Sequence, residues 1–575
     1  MPSVAPPLRP AQRRLLAPLL AAALASSVAV LLAGCRGGLP AGRSLRLRYD
    51  IVVAHDAGHG AQVTVTELRG AGNLRLLLPP SGVRRRVEPL ARDAGADAKS
   101  PATLAYRASA PETPHGGPGF ACYRGFELLA QPAGIDLSPE DSITLDFRLE
   151  AGQSVVAPLA ALAADPLAPH RGPITIGGDE FMTLLQSYIA LGDYGVRVLP
   201  GVPGRLPPIV WGRRRIGGAS EGELIDVVQR LLTAHVEQFG PDRPTLPYSV
   251  VVDYPYEGHG FAGNATGRSI DLRLSRDEGI GSSPGLLRLT AHELAHFWLG
   301  GAFAFPKPED HWFVEGAADY FGLVARVRAG YLDAAHAGDE LAEQWATLTG
   351  NRWLQEPIED LGRSYAGDVE AFTASYARGA IATWALEWRA RLSGRPSIEA
   401  LLRTSARDPR HAPMRELLIA HLRGPGWKPG ALGADAGADA AALLSDDPVD
   451  TFVRILGEAG LQLGTRPTRE LTFGLERFEP GTTKLLAVPS GSPAQSAGVR
   501  AGDRVREVDG LPVDDTMQLQ NAMERSYARP AYKLDGMEVT YERAGSEDRV
   551  RLFAAPQSVP IVLDRGGGRA ESVLP

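Results

Sequence analysis

Polar and apolar residues alternate with a period of two in Leu45-Arg46-Leu47-Arg48-Tyr49, in Gln62-Val63-Thr64-Val65-Thr66 and in Ser142-Ile143-Thr144-Leu145-Asp146-Phe147-Arg148-Leu149. A strand that buries one face has that rhythm. These runs predict an N-terminal β domain over residues 45–170, with the Pro-containing stretch from Pro158 to Pro173 as its exit. From about residue 205 the pattern changes. Ile209-Val210-Trp211 and Tyr248-Ser249-Val250-Val251-Val252 read as strands, with an amphipathic helix from Glu221 to Phe239 between them. Beyond Pro284 helical periodicity dominates to about residue 425, so residues 171–465 form a mixed α/β domain with a helical C-terminal half. Gly430 to Ala442 reads as a linker or frayed loop, Pro448 to Ala459 as a helix, and a β-rich region follows.

One apolar run stands apart. Arg9, Arg13 and Arg14 precede a nearly unbroken hydrophobic stretch from Leu15 to Ala33, the layout of a secretory leader. It ends in Leu32-Ala33-Gly34-Cys35, which resembles the bacterial lipobox, in which the Cys is acylated and becomes the mature N-terminus. On that resemblance residues 1–34 are a leader, Cys35 carries lipid, and 35–44 form a Gly/Arg/Pro-rich tether. The competing reading is an uncleaved anchor, since the run could nearly span a bilayer. Both readings tether the protein to a membrane of a bacterial cell envelope, facing the periplasm. After Ala33 no apolar run is long enough to cross a membrane. With Cys35 lipidated, Cys122 is the one remaining cysteine and an intramolecular disulfide is excluded.

Composition narrows the classes further. At 575 residues the chain holds several domains, and 44% hydrophobic with 22% charged residues excludes disorder over most of its length. A formal charge of -7 with no long basic block argues against nucleic acid as a partner. Only five of the 60 basic residues are Lys, a bias that carries no functional information.

Chemistry concentrates near the middle. Ser283-Pro284 suits a helix start and Gly300-Gly301 a stop, so residues 284–299 are predicted to form one helix. Within it lies His292-Glu293-Leu294-Ala295-His296. Spacing of i and i+4 puts both imidazoles on one face, where they can share a metal ion, with Glu293 on the side where an attacking water would sit. Eighteen residues separate His296 from Glu315, on a second apparent helix able to fold back alongside the first. Glu315 is the candidate third ligand. Two imidazoles and one carboxylate leave a position open, as a catalytic zinc site requires.

This spacing resembles that of the gluzincin metallopeptidases. The resemblance implies one Zn2+ per chain and Glu293 as the base that takes a proton from water and delivers it to the leaving amine. Asp319, one turn after Glu315, is placed to fix the His292 tautomer, or else is a solvated helix residue. Tyr376, in Ser375-Tyr376-Ala377-Arg378-Gly379, resembles the Tyr that supplies an oxyanion donor in related aminopeptidases, with Arg378 in place of the usual Lys.

Near the C-terminus, Ser492 to Gly510 closely resembles the turn, short helix and strand of a PDZ domain. Gly498, Gly502 and Gly510 suit positive-φ positions. Phe473, Gly474 and Leu475 form the candidate loop that would receive the carboxylate of a C-terminal peptide ligand. An N-terminal β domain, a thermolysin-like catalytic domain and a PDZ domain at 466–558, before a flexible tail at 559–575, together resemble the glycyl aminopeptidase family. That family carries a Gly-Gly-Leu-Glu-His type segment whose Glu meets the substrate amine. The corresponding stretch here is Gly258-His259-Gly260-Phe261-Ala262-Gly263-Asn264, with Gly260, Phe261 and Ala262 as substrate contacts and Ala262 in the place of that Glu. Glu257 in a shifted register could replace it, so aminopeptidase and endopeptidase readings both stand. The expected function is an envelope-anchored zinc metallopeptidase acting on peptides or proteins; the alternative is a catalytically silent PDZ scaffold or chaperone for exported polypeptides.

Overall fold

The computed structural model describes residues 44–54, 60–69, 76–77, 87–92, 103–108, 116–117, 119–132, 137–201, 206–214, 221–240, 246–256, 261–275, 283–300, 303, 307–348, 351–405, 412–424, 436–446, 448–475, 477–478, 482–488, 492–515, 518–519, 522–523, 536–553, 555–564 and 574. The leader, Cys35, the tether to residue 43 and the stretch from Glu257 to Gly260 lie outside the described residues.

The alternating runs form strands. In Arg46–Val53 the residues Leu47, Tyr49, Ile51 and Val53 point inward. A six-stranded sheet runs in the order Ile174–Gly177, Ser142–Arg148, Arg46–Val53, Ala61–Arg69, Thr103–Ala108, Val87–Arg92. A second, four-stranded sheet is built on Phe120–Arg124 and Tyr188–Gly192. One core joins the two and reaches Tyr194. The N-terminal unit therefore passes the boundary expected near residue 170. Beyond Pro173 the chain re-enters the first sheet as Ile174–Gly177, and the helix Gly178–Leu185 buries Phe181, Leu184 and Leu185 beneath it.

A five-stranded mixed sheet follows, in the order Tyr194–Leu199, Ile209–Arg214, Tyr248–Tyr256, Ser269–Ser275, Phe261–Thr266. Val210 and Val251 face the N-terminal core, while Ile209, Trp211, Val250 and Val252 face the helices. Burial on both faces explains why Tyr248 to Val252 is apolar except at Ser249 and does not alternate. Phe261–Thr266 is an edge strand, antiparallel to Ser269–Ser275.

Against this sheet packs a helical half. The helix expected over 284–299 spans Pro284–Ala295, opened by Ser283 accepting from the Leu286 N–H at 3.3 Å. It ends earlier because the N–H groups of His296 and Phe297 bond three residues back, to Glu293 and Leu294, which tightens the last turn. The helix His311–Arg328 crosses both Pro284–Ala295 and the 24-residue helix Val369–Leu392. At the second crossing Gly316 and Gly379 meet backbone to backbone: a Cβ on Gly316 would lie 2.2 Å from the Gly379 Cα. The expected linker at 430–442 is partly helical, over Ala436–Ala441, because Asp439 is clasped by Arg389 at 2.7 Å and Arg454 at 2.6 Å.

After the helix Pro448–Glu458 the chain forms a long two-stranded ribbon, Leu461–Thr472 antiparallel to Ala555–Asp564. The ribbon packs on the helix Ala334–Leu348, and Leu461 and Val562 belong to the main helical core. A separate small core spans Phe473 to Leu552. Residues 559–564, expected in a flexible tail, are thus the end of a strand. In the small core Gly498, Gly502 and Gly510 have φ of 89°, 92° and 75°. Among the described residues no helix is long and apolar enough to cross a membrane.

Candidate metal centre

Helix periodicity brings His292 and His296 onto one face, and their Nε2 atoms lie 3.1 Å apart. The crossing helix supplies Glu315, whose Oε2 is 3.5 Å from His292 Nε2 and 3.6 Å from His296 Nε2. Among the described residues this trio forms a group able to hold a metal ion, with ligand atoms all within 4.8 Å of one another. The far ring nitrogens are engaged elsewhere. His292 Nδ1 meets Asp319 Oδ1 at 2.9 Å, and His296 Nδ1 meets the Leu299 carbonyl at 3.1 Å. Placing N–H on both Nδ1 atoms leaves both Nε2 lone pairs aimed at one point beside a carboxylate oxygen, a donor set suited to a cation.

Asp319 anchors this arrangement. Besides His292 it accepts from Arg288 Nη2 at 3.2 Å and from Gln344 Nε2 at 3.0 Å. Burial would raise the Asp319 carboxyl, yet Arg288 and His292 outweigh it and hold the group well below the ordinary carboxylate range. In the same way the two imidazoles overcome burial at Glu315 and keep it ionised. At His292 burial works against positive charge, but Asp319 and Glu315 prevail and lift the ring to about 10. A field that favours a proton on that nitrogen also favours a metal cation, and the two compete for one lone pair.

Glu293 is buried beside the trio, and burial raises its pKa. The edge strand runs past it, but the residue that faces it is Gly263. A Cβ on Gly263 would lie 2.9 Å from Glu293 Cγ. Ala262, expected at the position facing the substrate amine, points to the opposite side of the strand, in register with Arg273. Its neighbour Phe261 is half-buried against the main core, and Gly260 is outside the described residues. Strand alternation could have found Gly263 had the inward face been known.

Tyr376 stacks on His292, ring centroids 5.6 Å apart at 25°. Burial raises its pKa well above the ordinary value, so the phenol keeps its proton. Arg378, two residues on, donates to the carbonyls of Trp353 at 2.6 Å and of Glu356. Sequence reasoning missed Gln344, Arg288 and Tyr365, whose hydroxyl is 3.4 Å from that of Tyr376. Cys122 is buried and burial pushes its thiol up, which leaves it a poor nucleophile. Phe473 and Leu475 turn their side chains into the small C-terminal core around Gly474, whose φ is +80°. The Phe473 carbonyl accepts from Ala494 N at 2.9 Å.

Residues 486–527 match the family model of the PDZ domain. No curated protein matches the chain. Among solved structures, an aminopeptidase N family protein from Idiomarina loihiensis aligns over 92% of this chain and 100% of its own, with a TM-score of 0.64 and 14% identity. An M1 zinc metallopeptidase from Deinococcus radiodurans aligns over 71% of this chain and 95% of its own, with a TM-score of 0.45 and 16% identity. The first likeness is one of fold, and it extends over the N-terminal sheets, the helical half and the C-terminal region together.

Proposed function

We propose that the chain is a zinc metallopeptidase that hydrolyses peptide bonds at the centre formed by His292, His296 and Glu315, held to a bacterial envelope membrane through lipidated Cys35 and facing the periplasm. The observation that carries this reading is the convergence of two Nε2 lone pairs and one carboxylate oxygen on a point flanked by Glu293 and Tyr376. Two imidazoles and a carboxylate, with no fourth protein ligand among the described residues, fit a catalytic zinc ion, one per chain. The fold shared with an aminopeptidase N family protein supports the same class. When bound, zinc supplies Lewis-acid polarisation of the scissile carbonyl and of water.

The remaining steps fall to the chain. Glu293, with its pKa raised by burial, takes a proton from the attacking water and passes it to the leaving amine. Tyr376 donates a hydrogen bond from its phenolic O–H to the carbonyl oxygen as negative charge develops there. The edge strand Phe261–Thr266 offers backbone groups to an extended substrate. From Phe261 to Thr266 that strand carries no carboxylate for a substrate ammonium, which favours tolerance of blocked or internal peptide bonds. The PDZ module is a second site, for a C-terminal peptide.

Zinc content and cleavage of paired peptides with free and acetylated N-termini test this reading. Bound zinc with turnover is expected, and Glu293→Gln should keep the zinc while losing about 10²- to 10⁴-fold in rate. Cleavage of free peptides alone would make the protein an aminopeptidase, and cleavage of both an endopeptidase. Bound zinc with no cleavage of either would turn the reading to a silent scaffold.

A further inference from the structure

Gln344 stands one contact away from the metal ligands and supplies no step above. Asp319 Oδ1 meets His292 Nδ1 at 2.9 Å, and the other oxygen, Oδ2, accepts from Gln344 Nε2 at 3.0 Å and from Arg288 Nη2 at 3.2 Å. A carboxylate turns with little resistance about its last side-chain bond, so a contact on one oxygen alone does not hold its plane. Donors on Oδ2 do. Of the two, the Arg288 side chain is 40% exposed, and solvent weakens ion pairs of that kind. The Gln344 amide comes from the packed helix Ala334–Leu348 and is the firmer hold.

That helix is itself fixed on two sides. Glu340 and Gln344, four residues apart, share the face turned to the helix His311–Arg328. Glu340 grips the buried Arg326 through two bonds of 2.8 and 2.6 Å, two turns beyond Asp319. The helices are therefore pinned together at two points. The strand Ala555–Asp564 of the ribbon packs on the same helix. Trp345, next to Gln344, stacks on Phe452 with centroids 4.4 Å apart at 24°. Phe452 is fully buried on the helix Pro448–Glu458, which runs into the other ribbon strand. The segments that enter and leave the PDZ module thus back the helix that holds Asp319.

We propose that Gln344 is a positioning residue through which the C-terminal segments hold the orientation of His292: Phe452 and the ribbon fix the helix, the helix fixes the Gln344 amide, and the amide fixes the Asp319 carboxylate. This rests on the metal site read above. Gln344→Met tests it in the full chain, because it keeps the length of the side chain and removes only the polar atoms. Zinc affinity, measured by competition with a chelator, is expected to fall about tenfold. Gln344→Lys returns an N–H donor and should recover most of the loss. In an Asp319→Ala background Gln344→Met should cost nothing further, since its effect passes through that carboxylate. Trp345→Leu, which removes the stack on Phe452, should also weaken zinc binding, and should add nothing to Gln344→Met. Thermal melts identify the variants that are folded, and the half-buried Gln344 decides the matter if Trp345→Leu is not among them. Wild-type zinc affinity in Gln344→Met would overturn the proposal. An equal fractional loss in the Asp319→Ala background would overturn it too, as would wild-type affinity in a folded Trp345→Leu protein. A wild-type chain that binds no zinc would overturn the metal site and this inference with it. One that binds zinc but cleaves none of the peptides sinks the peptidase reading alone, and the competition still decides the part played by Gln344.

Discussion

Gly316→Ala is the sharpest structural test of the active-site architecture. The added Cβ would lie 2.2 Å from Gly379 Cα, 2.3 Å from Gly379 C and 2.5 Å from Ala380 N. Carbon atoms in contact sit about 3.5–4.0 Å apart, so the two helices must separate by roughly 1.3 Å. No rotamer change relieves the clash, because every opposing atom is backbone. Glu315 precedes Gly316 directly and Tyr376 lies one turn before Gly379, so separation pulls Glu315 from Tyr376, the proposed ligand from the proposed oxyanion donor. A misplacement of about 1 Å can cost on the order of 100-fold in rate. Overpacking costs about 1–3 kcal/mol in stability, offset by the ~1 kcal/mol that Ala gains over Gly in a helix. The expected variant folds, with a slightly lower melting temperature, and loses about 100-fold in kcat. Gly322→Ala grades the effect: its Cβ would meet Ala291 C and His292 N at 3.1 Å, so a shift of only a few tenths of an ångström is needed and the rate loss should be much smaller. Steady-state kinetics with zinc content and thermal melts measures both. A Gly316→Ala protein within twofold of wild type in kcat would refute the claim that this crossing sets the site geometry.

Asp319→Asn should weaken zinc binding about 10- to 100-fold, since it loosens the partner of His292 Nδ1 and leaves Arg288 without its ion pair; chelator competition measures it. Tyr376→Phe should keep the zinc and lower kcat by about 10²- to 10³-fold with little change in KM. Glu387 carries a pH signature. Burial raises its pKa to about 7, so the folded state holds the proton more tightly than the unfolded chain, and stability is lost as pH rises from the ordinary value of 4.5 through 7. Glu387→Gln keeps an acceptor for the N–H groups of Ile398 and Glu399 and should be more stable than wild type by up to ~3 kcal/mol at pH 8, with the advantage gone by pH 4. Denaturation at both pH values checks it, and identical pH slopes would refute the assignment.

How much of this was legible in sequence follows from the range of each interaction. The pairing of His292 with His296 is fixed by helix period alone, and Glu315 by its spacing. Asp319, one turn beyond Glu315, leaves two readings open in sequence, and only the 2.9 Å contact with His292 Nδ1 selects the one in which it fixes the His292 tautomer. Other parts depend on contacts far apart in the chain. Tyr365 is fifty residues from Glu315, and nothing in its neighbourhood marks it, because its place comes from packing on His311 and Phe372. Gln344 reaches Asp319 from another helix. The choice between Ala262 and Gly263 turns on which face of a strand is inward, and a one-residue error in that choice reverses every side chain. The boundary near 170 failed for a similar reason. Pro158 to Pro173 looks like an exit, but the four-residue strand after it pairs with Ser142–Arg148.

The ribbon settles how the C-terminal module is wired. Thr472 and Ala555 face each other where it leaves, and Leu461 faces Asp564 where it joins the helices. In connectivity the PDZ module is thus a large detour within a hairpin, entered and left through neighbouring strands. A nonsense change after residue 472 would discard more than the PDZ module, because it would strip Ala555–Asp564 and the Val562 side chain from the core of the helical half. A deletion that joins Thr472 to Ala555 through a tight turn would keep both strands. Exchange of such modules between proteins is therefore easiest as a cassette cut at both ends, and a stop codon is the more damaging edit.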